Sequence, residues 1–333
     1  MSYIVALDRP LRNHLHTRED LTMTLTNNTA PTPIGVAGHD EIERPDWLAN
    51  AQWPFRLRRF DYRRPDGETI GLHHTDEGSG PTLVLVHAGM WSFIWRDAIA
   101  ALRDDFRCIT LDFPGTGLSD GDRHDVDLTT FPAIINSLLD HLAVERATFV
   151  VHDLGGVVGV MAATERPERF AGLAATNSFA WPAEGLALRT MLAVVGSRTA
   201  TATLGSARLV PRLTRGKAGV GLHYGEADRQ AFFGPYRRRA ASRNFHRAMR
   251  SARQARDLYA EAERRLRANH GSLPVLTVFG EKNDPFGFAD RWRAMFPHAR
   301  SWTVPSGNHF PMCDDPNGYT SRLRDWHLSE VAA

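Results

Sequence analysis

The chain of 333 residues holds only two cysteines, Cys108 and Cys313. That is too few for a disulfide scaffold or a four-thiolate zinc site, so both are expected as reduced thiols in a cytoplasmic protein. A surplus of one charge is missing as well. Forty Lys and Arg face 38 Asp and Glu, a net +2, which argues against a generic nucleic-acid binder or an acidic disordered tail. Long apolar runs are also lacking. The stretch around 157–164 is among the longest and falls far short of the ~20 residues of a membrane span, so no membrane partner is expected. The N-terminus carries Asp8, Glu19 and Asp20 and shows no continuous apolar segment of the kind a secretory signal needs. No internal repeat stands out. What the composition does supply is 42% hydrophobic residues, enough for a full-sized core.

Residues 1–51 are polar, rich in Thr, Asn and Pro, and follow neither a helical nor a strand period. They read as a non-catalytic extension, part of which falls away if translation starts at Met23. From Phe55 onward the pattern changes. Strands are expected over 56–62 and 69–76, joined by the Pro65-Asp66-Gly67 turn. Leu83-Val84-Leu85-Val86 is apolar on both faces, as a buried parallel strand must be. A helix (94–103), a strand (107–111), a helix (131–142) and a strand (147–151) then alternate, and a further strand spans 173–176. The alternation stops at Trp181. From there to Asn269 the sequence predicts helices only, one of them over 237–267 and dense in Arg and Ala. Asp257, Glu261 and Glu263 interleave with those arginines, as on a solvated face. Aromatic residues that would stack on bases are sparse there, so no nucleic-acid partner is expected. A strand (274–279), a helix (288–296), a strand (299–304) and a helix from Tyr319 complete the chain. The expected fold is α/β: a mostly parallel, doubly wound sheet formed by 52–180 and 270–333, interrupted by a helical cap over 181–269.

One segment carries the chemistry. In Phe149-Val150-Val151-His152-Asp153-Leu154-Gly155-Gly156, a single acidic residue sits between a buried strand and a Gly-Gly pair that opens an apolar helix. Strand, sharp turn and helix make a nucleophile elbow, whose turn residue is held in a strained conformation that presents its side chain to the site. This elbow presents Asp153. On these residues the chain resembles the α/β-hydrolase superfamily, and within it the haloalkane dehalogenase and epoxide hydrolase group, whose nucleophile is an aspartate in an HDxGG setting. The resemblance runs from about Phe55 to the C-terminus. It is carried further by VHAG at 86–89, DFPGTGLSD at 112–120, NSFAWP at 177–182, FGEKNDPF at 279–286 and SGNHFPMCDDP at 306–316.

The resemblance implies the α/β-hydrolase fold. It assigns Asp153 as nucleophile, His309 as base and Asp284 as the acid that orients the base, with the backbone N–H groups of Leu154 and Gly89 as the oxyanion hole. The chemistry suits those roles. A carboxylate is ionised at neutral pH and is favoured further at a helix N-terminus. It attacks an sp3 carbon without a general base. Water then opens the alkyl ester, and His309 deprotonates that water, a contribution of typically ~10²–10⁴ in rate. Glu281 competes for the acid role, in a loop one residue longer than the family's, and His152 reads as a packed supporting residue. Asp153 could also serve as a helix N-cap in a catalytically inactive protein that binds a small ligand. No cofactor is implied. His73 and His74 alternate across a strand and cannot share a metal, so no metal site is expected.

Two departures from the family bear on the substrate. Dehalogenases hold the leaving halide with a Trp directly after the nucleophile and an Asn or second Trp elsewhere. Here Leu154 follows Asp153, and His87-Ala88-Gly89-Met90 stands where the family has HGNP. Two lost donors at ~1.5–3 kcal/mol each amount to about two to four orders of magnitude in rate. Trp91, Trp95 and Trp181 are the candidate replacement donors, Trp91 and Trp181 being placed in the substrate pocket, and Tyr224 and Tyr236 are candidates there for the cap tyrosines that protonate an epoxide oxygen. The expected substrate is a small apolar electrophile. A haloalkane comes first, with an epoxide, an ester or a lactone, or the substrate of a non-hydrolytic biosynthetic enzyme, as alternatives.

Overall fold

The computed structural model describes residues 41–121, 126–268, 271 and 273–332. The expected extension over 1–40, including Met23, and the cap boundary at Asn269 lie outside them. One sheet of eight strands runs in the order β1-β2-β4-β3-β5-β6-β7-β8. The strands are β1 (Arg58–Arg63), β2 (Thr69–Glu77), β3 (Thr82–Ala88), β4 (Arg107–Leu111), β5 (Ala147–Asp153), β6 (Phe170–Ser178), β7 (Val275–Gly280) and β8 (Arg300–Val304). β2 is antiparallel to β1 and β4, and every other pairing is parallel.

Side chains alternate across this sheet and divide the core in two. Val84, Val86, Phe149 and Val151 point into one cluster, which also takes the buried faces of α2 (Phe131–His141), α3 (Gly155–Glu165), α9 (Arg256–Ala268) and α10 (Phe288–Met295). Leu83, Leu85 and Val150 point the other way, to α1 (Arg96–Leu102) and α12 (Pro316–Trp326). Each fully buried Val, Leu or Phe contributes roughly 1.5–3 kcal/mol, and this two-sided burial is why the strands read as unbroken apolar runs. Both cysteines are free and buried.

Between β6 and α9 the chain builds the cap: α4 (Leu186–Val195), α5 (Arg198–Ala202), α6 (Leu209–Thr214), α7 (Glu226–Phe233) and α8 (Arg239–Gln254). The long helix expected over 237–267 breaks at Ala255. Its second half, α9, packs Tyr259, Ala262 and Leu266 into the sheet's core beside α3. That half is a crossover helix leading to β7 rather than part of the cap. The folded body also begins earlier than residue 52. Leu48 is buried, and Trp47 meets the edge of Trp91 at 6.0 Å between ring centroids. No helix of the described residues is long and apolar enough to cross a membrane.

Candidate active site

Asp153 ends β5 directly opposite Ala88 at the end of β3. Its φ of +50° lies in the left-handed region that non-glycine residues avoid. The strain is sustained by close packing: a Cβ on Gly155 would overlap the Val86 carbonyl oxygen, and one on Gly156 would overlap Ser178 Oγ and the Phe179 carbonyl oxygen. Ser178 Oγ also donates to the Asp153 carbonyl oxygen at 2.8 Å. The Asp153 Oδ2 stands 3.8 Å from Nε2 of His309. Burial alone would raise the pKa of this carboxyl. The facing His309 outweighs burial and holds it below the usual value, so the group is ionised at neutral pH. The letters of a serine elbow do occur, as GLSDG at 117–121. They lie in the loop after β4, however, where the buried Ser119 hydroxyl donates to the Asp112 carbonyl oxygen.

His309 lies in the loop between β8 and α11 (Pro311–Asp314). Two bonds pin that loop: Asn308 N–H donates to Asp314 Oδ2 at 2.6 Å, and His152 Nε2 donates to the His309 carbonyl oxygen at 2.9 Å. Burial, and then the nearby His309, lower the pKa of His152 to about 3. His152 is therefore a neutral imidazole whose single N–H supports the loop, as its packed supporting role requires.

The structure departs from expectation at the orienting residue. The Asp284 carboxylate makes no hydrogen bond or ion pair with His309. It accepts instead from the Phe288 and Ala289 N–H groups, at 2.8 and 2.9 Å, at the start of α10. Glu281 is turned to the Ser306 N–H. The partner of His309 Nδ1 is Asn283 Oδ1, at 2.9 Å. Asn177, at the end of β6, fixes that amide. Its Oδ1 accepts from Gly280 N–H, so its Nδ2 faces Asn283, 2.6 Å from the carbonyl oxygen and 3.4 Å from Oδ1. Asn283 must then present oxygen to the imidazole, which keeps a proton on Nδ1, so that in the neutral ring Nε2 is the bare nitrogen and it faces Asp153.

Asp153 and His309 open on a cavity of about 400 Å³. Its walls are mainly apolar, with Met90, Phe179, Leu188, Met191, Phe245, Met249 and Phe288 among them. None of the four aromatic pocket candidates lines it. Trp91 is buried with its indole N–H given to the Phe232 carbonyl oxygen. Trp181 packs on Phe288 and Trp292. Tyr224 Oη lies 3.8 Å from Cys313 Sγ, and Tyr236 Oη donates to Met90 Sδ. No Trp or Tyr of the described residues lines this cavity, so no indole or phenol donor faces the carbon that Asp153 would attack.

Residues 81–316 match the alpha/beta hydrolase fold family, and the chain is 32% identical over 279 residues to haloalkane dehalogenase 2 of Mycobacterium tuberculosis, covering 80% of this chain and 92% of that one. The chain belongs to the α/β hydrolases, in the haloalkane dehalogenase and epoxide hydrolase-like group. A more local likeness links this hydrolase to the cis-3-alkyl-4-alkyloxetan-2-one decarboxylase of Shewanella oneidensis, 42% identical over 115 residues, which is 33% of this chain and 36% of that enzyme. Among solved structures, the epoxide hydrolase CorEH shares the fold with a TM-score of 0.66 at 18% identity, over 82% of this chain and 99% of that one.

Proposed function

We propose that this α/β hydrolase acts on a small apolar electrophile through a covalent ester on Asp153. One observation carries the reading: the Asp153 carboxylate at the strained elbow, 3.8 Å from Nε2 of His309, faces an apolar cavity. A carboxylate oxygen forms a bond to the substrate carbon, and the leaving group departs with the bonding electron pair. Water is deprotonated at Nε2 of His309, and the hydroxide adds to the ester carbonyl. Collapse of that intermediate releases the alkoxide, which takes the proton from His309, and leaves Asp153 as a carboxylic acid that loses its proton to solvent and so restores the carboxylate. Leu154 N–H would donate to the oxyanion, with Gly89 N–H, one residue beyond Ala88, as the second donor.

The cavity wall also favours one electrophile over the others. A departing halide or alkoxide calls for side-chain donors; no indole or phenol lines the cavity, and the amide N–H of Asn177 there is given to the Asn283 carbonyl oxygen. A lactone opened at its sp3 C–O carbon releases a carboxylate, which spreads its charge over two oxygens and stays tethered to the bound product. The local match to the oxetan-2-one decarboxylase supports the same class. Lactones therefore stand ahead of haloalkanes and epoxides. The test is to incubate the His309→Ala variant with a haloalkane, an epoxide and a β-lactone and to weigh the intact protein and its peptides. A stable adduct on Asp153 is expected with the lactone, and none in Asp153→Asn. Reversible binding with no adduct from any of the three would make the chain a binding protein.

A further inference from the structure

The near-neutral total conceals a division of charge. Residues 181–269 hold 18 of the 40 Lys and Arg but only six of the 38 Asp and Glu, so the rest of the chain is net acidic. Within the cap, 185–225 contain six basic side chains and no acidic one. Arg208 is bonded to the Arg237 carbonyl oxygen, and Arg215 lies over the Phe233 ring. Arg189, Arg198, Arg212 and Lys217 are exposed and make no ion pair among the described residues.

Apolar side chains protrude from the same segment. Leu186 is 80% exposed, Leu213 65% and Val194 61%. Seven of the nine exposed large hydrophobic side chains of the described residues fall within 185–225. Single exposed leucines need no explanation, but a cluster confined to one acid-free segment does. The other side of this segment supplies Leu188 and Val210 to the catalytic cavity, and Leu213 reaches both its wall and the surface.

We propose that 185–225 dock the enzyme on an anionic lipid surface, with Leu186, Val194 and Leu213 among the acyl chains and Arg189, Arg198, Arg212 and Lys217 at the level of the lipid phosphates. The charge and the protruding aliphatic groups together choose this occupant. A nucleic acid or an acidic protein would take the cations and leave the leucines wet, and a second copy would set like charges against each other. A lipid interface offers an apolar and an anionic layer side by side. Such docking needs no membrane-crossing helix, and it revises the sequence-based expectation of no membrane partner. It also sets the catalytic cavity beside the phase in which an apolar electrophile concentrates. It holds whether or not Asp153 forms an ester.

Flotation of the full-length protein with vesicles tests this without reading catalysis. At low salt the protein is expected to float with vesicles of phosphatidylcholine mixed with phosphatidylglycerol, not with phosphatidylcholine alone, and to be released by high salt. Each basic residue near an anionic surface is worth about fivefold, so Arg198→Glu with Arg212→Glu should lower partitioning about 25-fold or more. Val194→Asp should lower it too, with melting curves confirming that both variants fold. The proposal is overturned by flotation with neither vesicle or equally with both. It is equally overturned if, with vesicles unbound, Val194→Asp abolishes a dimer seen by light scattering or the arginine variant loses retention on heparin.

Discussion

The partner of His309 decides how its imidazole would work as the proposed base. Asn283 offers an amide oxygen, which fixes the tautomer but adds no negative charge to stabilise an imidazolium. Removing it frees the ring. Asn283→Ala is expected to lower kcat by about 10²-fold or more, the scale of general-base catalysis. Asp284→Ala should leave turnover nearly unchanged and lower stability by ~1 kcal/mol, because its carboxylate receives the first N–H groups of α10. Steady-state kinetics and urea unfolding of both variants separate the roles, and the opposite pattern would return the orienting role to Asp284. Asp153→Asn should cost on the order of 10⁴ in kcat. The meeting of Asp153 and His309 at one site was legible because each sits in a recognisable motif. Asn283 was obscured by the extra residue in FGEKNDPF: counting back from Pro285 reaches Asp284, whereas counting forward from Gly280 reaches Asn283. The aromatic candidates failed for a different reason. Trp91 lies close in sequence to the end of β3, but the direction of its indole is set by packing with Trp53 and Phe93, which spacing does not encode.

At the scale of the element, the elbow works only if α3 lies hard against the ends of β3 and β6. Gly155→Ala would drive a methyl group into the Val86 carbonyl oxygen, and is expected to destabilise the fold by about 1–3 kcal/mol, as overpacking does. Urea unfolding reads this directly, and a fall in the adduct rate at Asp153 should accompany it. Strands β3 to β7 were legible because burial on both faces leaves an apolar run bounded by turns. The break between α8 and α9 was not. Its sequence, rich in Arg and Ala, favours helix throughout and has no Gly or Pro there. The break is a tertiary requirement, since α8 must face the cap and α9 the sheet.

For the molecule as a whole, buried histidines set the response to pH. Burial, the largest cause in each case, lowers the pKa of His74 to about 3, of His87 to about 4 and of His152 to about 3, against an ordinary 6.5. As pH falls below about 6.5 the unfolded chain binds protons that the folded chain refuses, until the folded values are reached. Stability is therefore full above about pH 6.5 and is lost toward pH 4, by up to about 1.4 kcal/mol per pH unit for each histidine. The carboxyls of Asp112 and Asp153, both held low, add their loss only below about pH 4. Urea midpoints at pH 7.5 and pH 5 should differ, the lower pH giving the lower midpoint, and equal midpoints would contradict the burial of these rings. The division into sheet and cap was visible as an interruption of the strand–helix alternation, but the place of α9 in the sheet layer was not. That helix has its own consequence. The chain leaves the sheet at Ser178 and must reach the sheet's opposite end to start β7 at Val275, and α9 makes the return. A parallel crossover is complete with a dozen or more residues, usually one helix. The helices α4 to α8 are then a detour on a finished connection, and no strand pairing depends on them. Selection can lengthen, shorten or exchange that detour while Asp153 and His309 keep their register, so a new substrate range can evolve without any change at the proposed nucleophile and base.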